Sequence, residues 1–175
     1  MTIRSWADEA RSPKYSHVER ERRWRVDARR LPPLPAGHVA IEDRYIIGTR
    51  LRLRHMRDSE TGLVAYKLAK KYEADDVTAR PMVNAYLTVG EHAVFAELPA
   101  YVIRKRRYVI GGFSVDVFAG DLTGLVLAEI EQTTPEALAA ISAPDWTVGE
   151  VTQDARFQGG LLARMSATEL AKLLD

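Results

Sequence analysis

The sequence contains no cysteine. That absence excludes disulfides, thiolate-bound metals and a cysteine nucleophile. Histidine is nearly as scarce, and His17, His38, His55 and His92 are scattered without the short spacing of an imidazole metal site. Any metal is therefore expected on carboxylates, which favours hard ions such as Mg2+ or Mn2+. No apolar run approaches the roughly 18 residues of a membrane-spanning helix. The opening segment MTIRSWADEARSPKYS also lacks the apolar stretch of a secretory leader. A cytoplasmic protein with no membrane partner is expected. An excess of charge of one sign is missing too. The 25 Lys and Arg nearly cancel the 24 Asp and Glu, leaving a net charge of +1, so no nucleic-acid partner is expected. Cancellation in total leaves open that the two signs are separated in space.

What is present is a globular composition. Hydrophobic residues make up 46% of 175 positions, enough for one domain with a respectable core. Residues 1–16 read as an arm, with Trp6 on it, and residues 17–175 as the folded domain. Strand patterns occupy 18–26, 40–47, 49–56, 63–71, 81–87, 101–110, 113–118 and 125–132. Gly62, Gly111-Gly112 and Gly120 to Gly124 mark turns. Thr88 with Glu91, and Ser166 with Glu169, are capping boxes that open helices, and Thr134-Pro135 is a third helix start. Trp24 and Trp146 are expected to pack in the core. The expected class is α+β, mainly β: an eight-stranded antiparallel closed β-barrel decorated with a few helices.

Residues two apart on a strand share a face, and that rule sorts the charges. Glu19, Glu21 and Arg23 share a face, as do Arg50, Arg52 and Arg54. Lys105 and Arg107 share another, as do Glu129 and Glu131. Asp116 lies with Ser114 and Phe118. A solvated sheet face favours mixed signs, because like charges opposite one another destabilise a sheet. Rows of acid and rows of base instead suit a ligand that needs both, such as a polyphosphate with its cation. With these rows turned inward the lumen is expected to be wet, since burying so many charges dry costs several kcal/mol each.

In their order along the chain these motifs resemble those of the CYTH, or triphosphate tunnel metalloenzyme, family. Glu19-Arg-Glu21-Arg-Arg23 stands in place of an opening Glu-x-Glu-x-Lys, with arginine for the lysine. Arg52-Leu-Arg54, Leu68-Ala-Lys70, Lys105-Arg-Arg107-Tyr108, Val115-Asp116-Val117-Phe118 and Ala128-Glu129-Ile130-Glu131 follow in the family's order. The resemblance spans about residues 17–163. It implies a charged tunnel that binds a triphosphate and a divalent metal. On this reading Glu19, Glu21, Glu129 and Glu131 hold Mg2+ or Mn2+, with Asp116 as a further ligand. Arg52, Arg54, Lys70, Lys105 and Arg107 clamp phosphate, and Lys67, Arg104, Arg106, Arg20 and Arg22 point outward. Glu129 or Glu131 takes a proton from the attacking water. Arg23 cannot release its proton, so phosphate binding or carboxylate orientation is its expected part. The activity expected first is hydrolysis of inorganic triphosphate or a small organic triphosphate. Cyclisation of ATP by a class IV-type adenylate cyclase, and passive polyphosphate binding, remain the alternatives. A homodimer is compatible with all three.

Overall fold

Period-two alternation along the chain becomes nine strands in the computed structural model, which describes residues 15–174. They are β1 (His17–Val26), β2 (Val39–Ile46), β3 (Leu51–Asp58), β4 (Val64–Lys71), β5 (Ala79–Leu87), β6 (Ala100–Ile110), β7 (Phe113–Ala119), β8 (Val126–Glu131) and β9 (Thr147–Glu150). The pairing order is β5-β4-β3-β2-β6-β7-β8-β1-β9, and β1 also pairs with β5. Strands β1 to β8 therefore close into an antiparallel ring, as expected, which removes the exposed edges an open sheet would carry.

Closure depends on β1, which divides one of its edges. Residues 17–20 pair with β5, 21–25 pair with β8, and Trp24, Arg25 and Val26 take β9 as a partner. The β6–β7 hairpin turns on Gly111 and Gly112, whose φ values of 57° and 86° suit the tight turns that match strand twist. Most of the arm expected over 1–16, with Trp6, lies outside the described residues.

Among the described residues four helices decorate the barrel: α1 (Val89–Ala96), α2 (Pro135–Ala139), α3 (Gly159–Leu162) and α4 (Ala167–Leu174). The Thr88 hydroxyl caps α1 and Glu91 returns a bond to the Thr88 amide at 2.7 Å. The Ser166 hydroxyl accepts from the Glu169 amide at 3.3 Å and opens α4 in the same way. Sequence patterning misses β9 and α3, because four residues are too few to display a period.

Both faces of the barrel wall near β1, β7 and β8 are buried. Outside, Trp24, Phe113, Val115, Val126 and Ala128 form one core cluster with Trp146 packed against it. The Trp24 and Phe113 rings meet edge-on at 5.7 Å, and Phe113 meets Trp146 at 5.8 Å. Inside, Ile103, Phe118 and Leu127 pack with Phe157, Leu162 and Leu170 from the C-terminal segment. That segment fills one end of the lumen with apolar side chains. It is pinned there by Arg25, whose Nη1 donates to the Leu174 carbonyl at 2.9 Å, a cation at a helix C-terminus.

Candidate active site

Strand alternation points alternate side chains of the ring into the lumen, where a cavity of about 420 Å3 remains. Ten arginine and lysine side chains and five carboxylates line it, an excess of five positive charges. No histidine reaches it. Among the described residues no helix is long and apolar enough to cross a membrane.

Strand register sets the first anchor, the Asp43–Arg54 pair across β2 and β3. Arg54 Nε donates to Asp43 Oδ1 at 2.6 Å and Nη2 to Oδ2 at 2.8 Å, a two-pronged grip in a fully buried setting. Burial alone would raise the Asp43 carboxyl, but Arg54 and Arg52 hold it far below its ordinary range. Arg52 lies beside this pair. Its Nε stands 3.6 Å from Asp43 Oδ1, too far for a hydrogen bond, and this buried donor makes none.

The second anchor is Asp116, fully buried between two cations. It accepts from Lys105 Nζ at 2.5 Å, and from Arg107 Nε and Nη2 at 2.7 and 2.6 Å. Arg107 Nη2 continues to Glu129 Oε2 at 2.8 Å, and Arg23 Nε reaches Glu129 Oε1 at 2.7 Å. Burial would push the Glu129 carboxyl up, yet Arg23, Arg107 and Lys105 hold it well below its usual range. Arg23 also donates from Nη1 to the Phe157 carbonyl at 2.7 Å, so it ties the apolar plug to the acid row.

Around these anchors the remaining charges are unevenly spread. Glu19, Glu21 and Glu131 form an acidic side. Burial raises the Glu131 carboxyl, and the neighbouring Glu19 and Glu21 raise it further. Lys67, Arg52 and Arg54 form a basic side. Burial lowers the Lys67 ammonium, and Arg54 and Arg52 lower it further. Each side holds one charge without an ion pair among the described residues, Glu131 on the acidic side and Lys67 on the basic one.

The lumen brings together Glu19, Glu21, Arg23, Arg52, Arg54, Lys105, Arg107, Glu129 and Glu131, as the alternation implies. Four expectations are corrected. Glu129, expected among the metal ligands, has both carboxylate oxygens engaged, by Arg23 and by Arg107. Lys70 does not line the cavity; its ammonium lies 4.9 Å from the Tyr72 ring. Lys67 faces inward instead, with Ala69 and Lys71. The β4 sequence has lysines at both parities, and alternation fixes only which residues oppose one another, not which face turns inward. Asp116 is no open metal ligand, because both oxygens already accept from Lys105 and Arg107. Arg50 lines the cavity with its row, and Asp43, Lys71, Arg80 and Arg164 line it too and were not anticipated. Asp43 had one visible signal, an acid on the Ile41–Tyr45 face of a strand otherwise rich in apolar residues.

The oxygen donors suit a hard divalent ion. Glu19, Glu21 and Glu131 are carboxylates, and the raised Glu131 carboxyl reports a shortage of positive charge beside them. Among the described residues no three acids converge into a closed cage, and the Lys71 ammonium stands between Glu19 and Glu21.

A closed ring of eight antiparallel strands with acid and base rows in its lumen is the fold that the resemblance to the CYTH, or triphosphate tunnel, family implied. Parts of the chain are similar to inorganic triphosphatases of two bacteria. The relative from Nitrosomonas europaea is 43% identical over 51 residues, 29% of this chain. The relative from Acetivibrio thermocellus is 43% identical over 67 residues, 36% of this chain. The chain matches 34% and 42% of the length of these curated relatives. The crystal structure of an inorganic triphosphatase superposes with a TM-score of 0.55 at 22% identity, over 85% of this chain and 96% of that one. A second crystal structure superposes with the same TM-score at 24% identity, over 85% of this chain and 99% of that one. At these identities the superpositions speak for the fold. No protein-family model matches the chain.

Proposed function

We propose that the chain is a metal-dependent triphosphatase that hydrolyses inorganic triphosphate, or a small organic triphosphate, inside the barrel. The observation that carries this reading is the lining: ten cations and five carboxylates, with Glu19, Glu21 and Glu131 grouped apart from Arg52, Arg54 and Lys67. Passive anion binding has no use for the acidic side. The activity named for the two bacterial relatives supports the reading.

Arg52, Arg54 and Lys67 grip phosphate oxygens from the basic side, and Lys105 and Arg107 do so from their anchor on Asp116. Glu19, Glu21 and Glu131 would hold Mg2+ or Mn2+, which when bound neutralises phosphate charge. Arg23 orients Glu129 and stays protonated. Glu131 is the freer of the two candidate bases: both Glu129 oxygens are engaged by Arg23 and Arg107, which hold its carboxyl down, whereas burial and the neighbouring Glu19 and Glu21 raise that of Glu131. Water attacks the terminal phosphorus, the bridging P–O bond breaks, and the water proton passes to Glu131. The products are orthophosphate and the shortened polyphosphate.

Phosphate release from inorganic triphosphate, thiamine triphosphate and ATP, each with Mg2+, Mn2+ or chelator, tests the proposal. Metal-dependent release that stops with chelator is the expected result. Cyclic AMP without phosphate release from ATP would make the chain a cyclase. Tight triphosphate binding without turnover or metal dependence would make it a passive binder.

A further inference from the structure

Lys71 occupies the place in the lumen where a cation is most needed. Its ammonium contacts the Glu19 carboxylate and lies 2.8 Å from Glu21 Oε1. Barrel closure brings this about. Lys71 pairs with Met82 on β5, and Met82 pairs with His17 on β1. A side chain at position 71 is thereby set on the inner wall beside acids at positions 19 and 21.

The acidic side remains under-neutralised even so. Glu19, Glu21 and Glu131 share one ammonium, and Arg80, opposite Glu19 across β1 and β5, donates to the Gln158 side chain at 3.0 Å instead. Arg23 gives Glu21 only a long contact of 3.4 Å, and its other nitrogens are committed to Glu129 and the Phe157 carbonyl. The two cations differ in freedom. Arg23 is a planar fork bonded at three places, whereas Lys71 is a point charge on a flexible four-carbon stem. The Lys71 side chain is 27% exposed and lines the same cavity as Arg52, Arg54 and Arg80. It can leave the glutamates by side-chain rotation alone.

We infer that Lys71 is a resident counter-ion that a divalent cation displaces from Glu19 and Glu21, and that the released ammonium then turns to the phosphate chain. This rests on the function proposed above and adds a coupling to it. A divalent ion competes with the ammonium for the same oxygens. Once displaced, Lys71 joins the basic side and strengthens the grip on the anion. Metal and triphosphate consequently bind with positive cooperativity, and linkage makes the effect reciprocal. The empty barrel meanwhile keeps its acids partly neutralised.

Calorimetric titration with Mn2+ alone tests the inference on the wild type and on Lys71→Met, Lys71→Gln and Lys70→Met, with circular dichroism to confirm folding. Both Lys71 variants are expected to bind Mn2+ about tenfold more tightly than the wild type, within the usual range of linked-site effects. Lys70→Met should match the wild type. A second titration with a non-hydrolysable imido analogue of triphosphate, with and without Mn2+, reads the coupling itself. Mn2+ should tighten analogue binding to the wild type, and most of that gain should vanish in the Lys71 variants. Wild-type-like Mn2+ affinity in both Lys71 variants, with phosphate release intact in the wild type, would overturn the counter-ion inference alone. A wild type that binds neither Mn2+ nor the analogue would overturn the triphosphatase reading together with it.

Discussion

Arg54 and Asp43 meet edge to edge across β2 and β3, with both carboxylate oxygens gripped by one guanidinium at 2.6 and 2.8 Å. The pair stands in the cavity wall and is almost wholly buried. It keeps one lumen-lining arginine in a fixed posture, while Nε of the neighbouring Arg52 retains a free donor.

Asp43→Asn should therefore strand a buried guanidinium, at a cost of about 3–5 kcal/mol in a urea melt, as for other broken buried pairs. Inorganic triphosphate should restore part of the loss by giving Arg54 a new anion. The pH dependence follows from the depressed Asp43 carboxyl. Its contribution is complete above the unfolded-state value of about 4 and is lost as pH falls through the folded-state value. Urea midpoints from pH 7 down to pH 2 should begin to fall below about pH 4 in the wild type and keep falling to the acid limit, and should fall less in the variant.

The two glutamates of β8 should separate in their effects. Glu131→Gln should lower kcat for phosphate release by about 100-fold or more, the usual scale for losing a general base. Its melting temperature should hold or rise, because one of three mutually repelling acids is neutralised. Glu129→Gln should lose stability, since it leaves Arg23 and Arg107 without the charge that orients them. Parallel kinetics and thermal melts decide this, and equal kcat losses at equal stability would contradict the assignment.

On β4, Lys67→Met should weaken inorganic triphosphate binding by about tenfold, near 1.4 kcal/mol, while Lys70→Met should leave it unchanged. Calorimetry at low and high salt checks both, and the Lys67 effect should shrink as salt screens the cavity.

The plug makes its own prediction. Gly159 lies so close to Tyr45 that an added Cβ would overlap the Tyr45 hydroxyl and crowd its ring. Gly159→Ala should cost about 1–3 kcal/mol, the usual range for overpacking. Adding Tyr45→Phe should recover part of that cost by removing the hydroxyl. A double-mutant cycle of thermal stability measures the coupling, and strictly additive losses would show that the two residues do not meet.

Most of the barrel was legible because strands alternate with period two, and the acid and base rows on β1, β3, β6 and β8 are local statements of that period. Glu19 with Glu21, Arg52 with Arg54, Lys105 with Arg107 and Glu129 with Glu131 each share a face for steric reasons within a few residues. Capping boxes at Thr88 and Ser166 were legible on the same grounds, since a cap is made of neighbours.

What the sequence determined by itself, then, was which side chains travel together. Tertiary structure alone decided which face of β4 turned inward, and so put Lys67 and Lys71 in the lumen and Lys70 outside. It decided that Asp43 would meet Arg54 and that Asp116 would be spent holding Lys105 and Arg107. It also decided that Lys71 would reach Glu19 and Glu21. The reason is physical: alternation is a property of one strand, whereas register, closure and the pairing of charges depend on strands far apart in the chain finding one another.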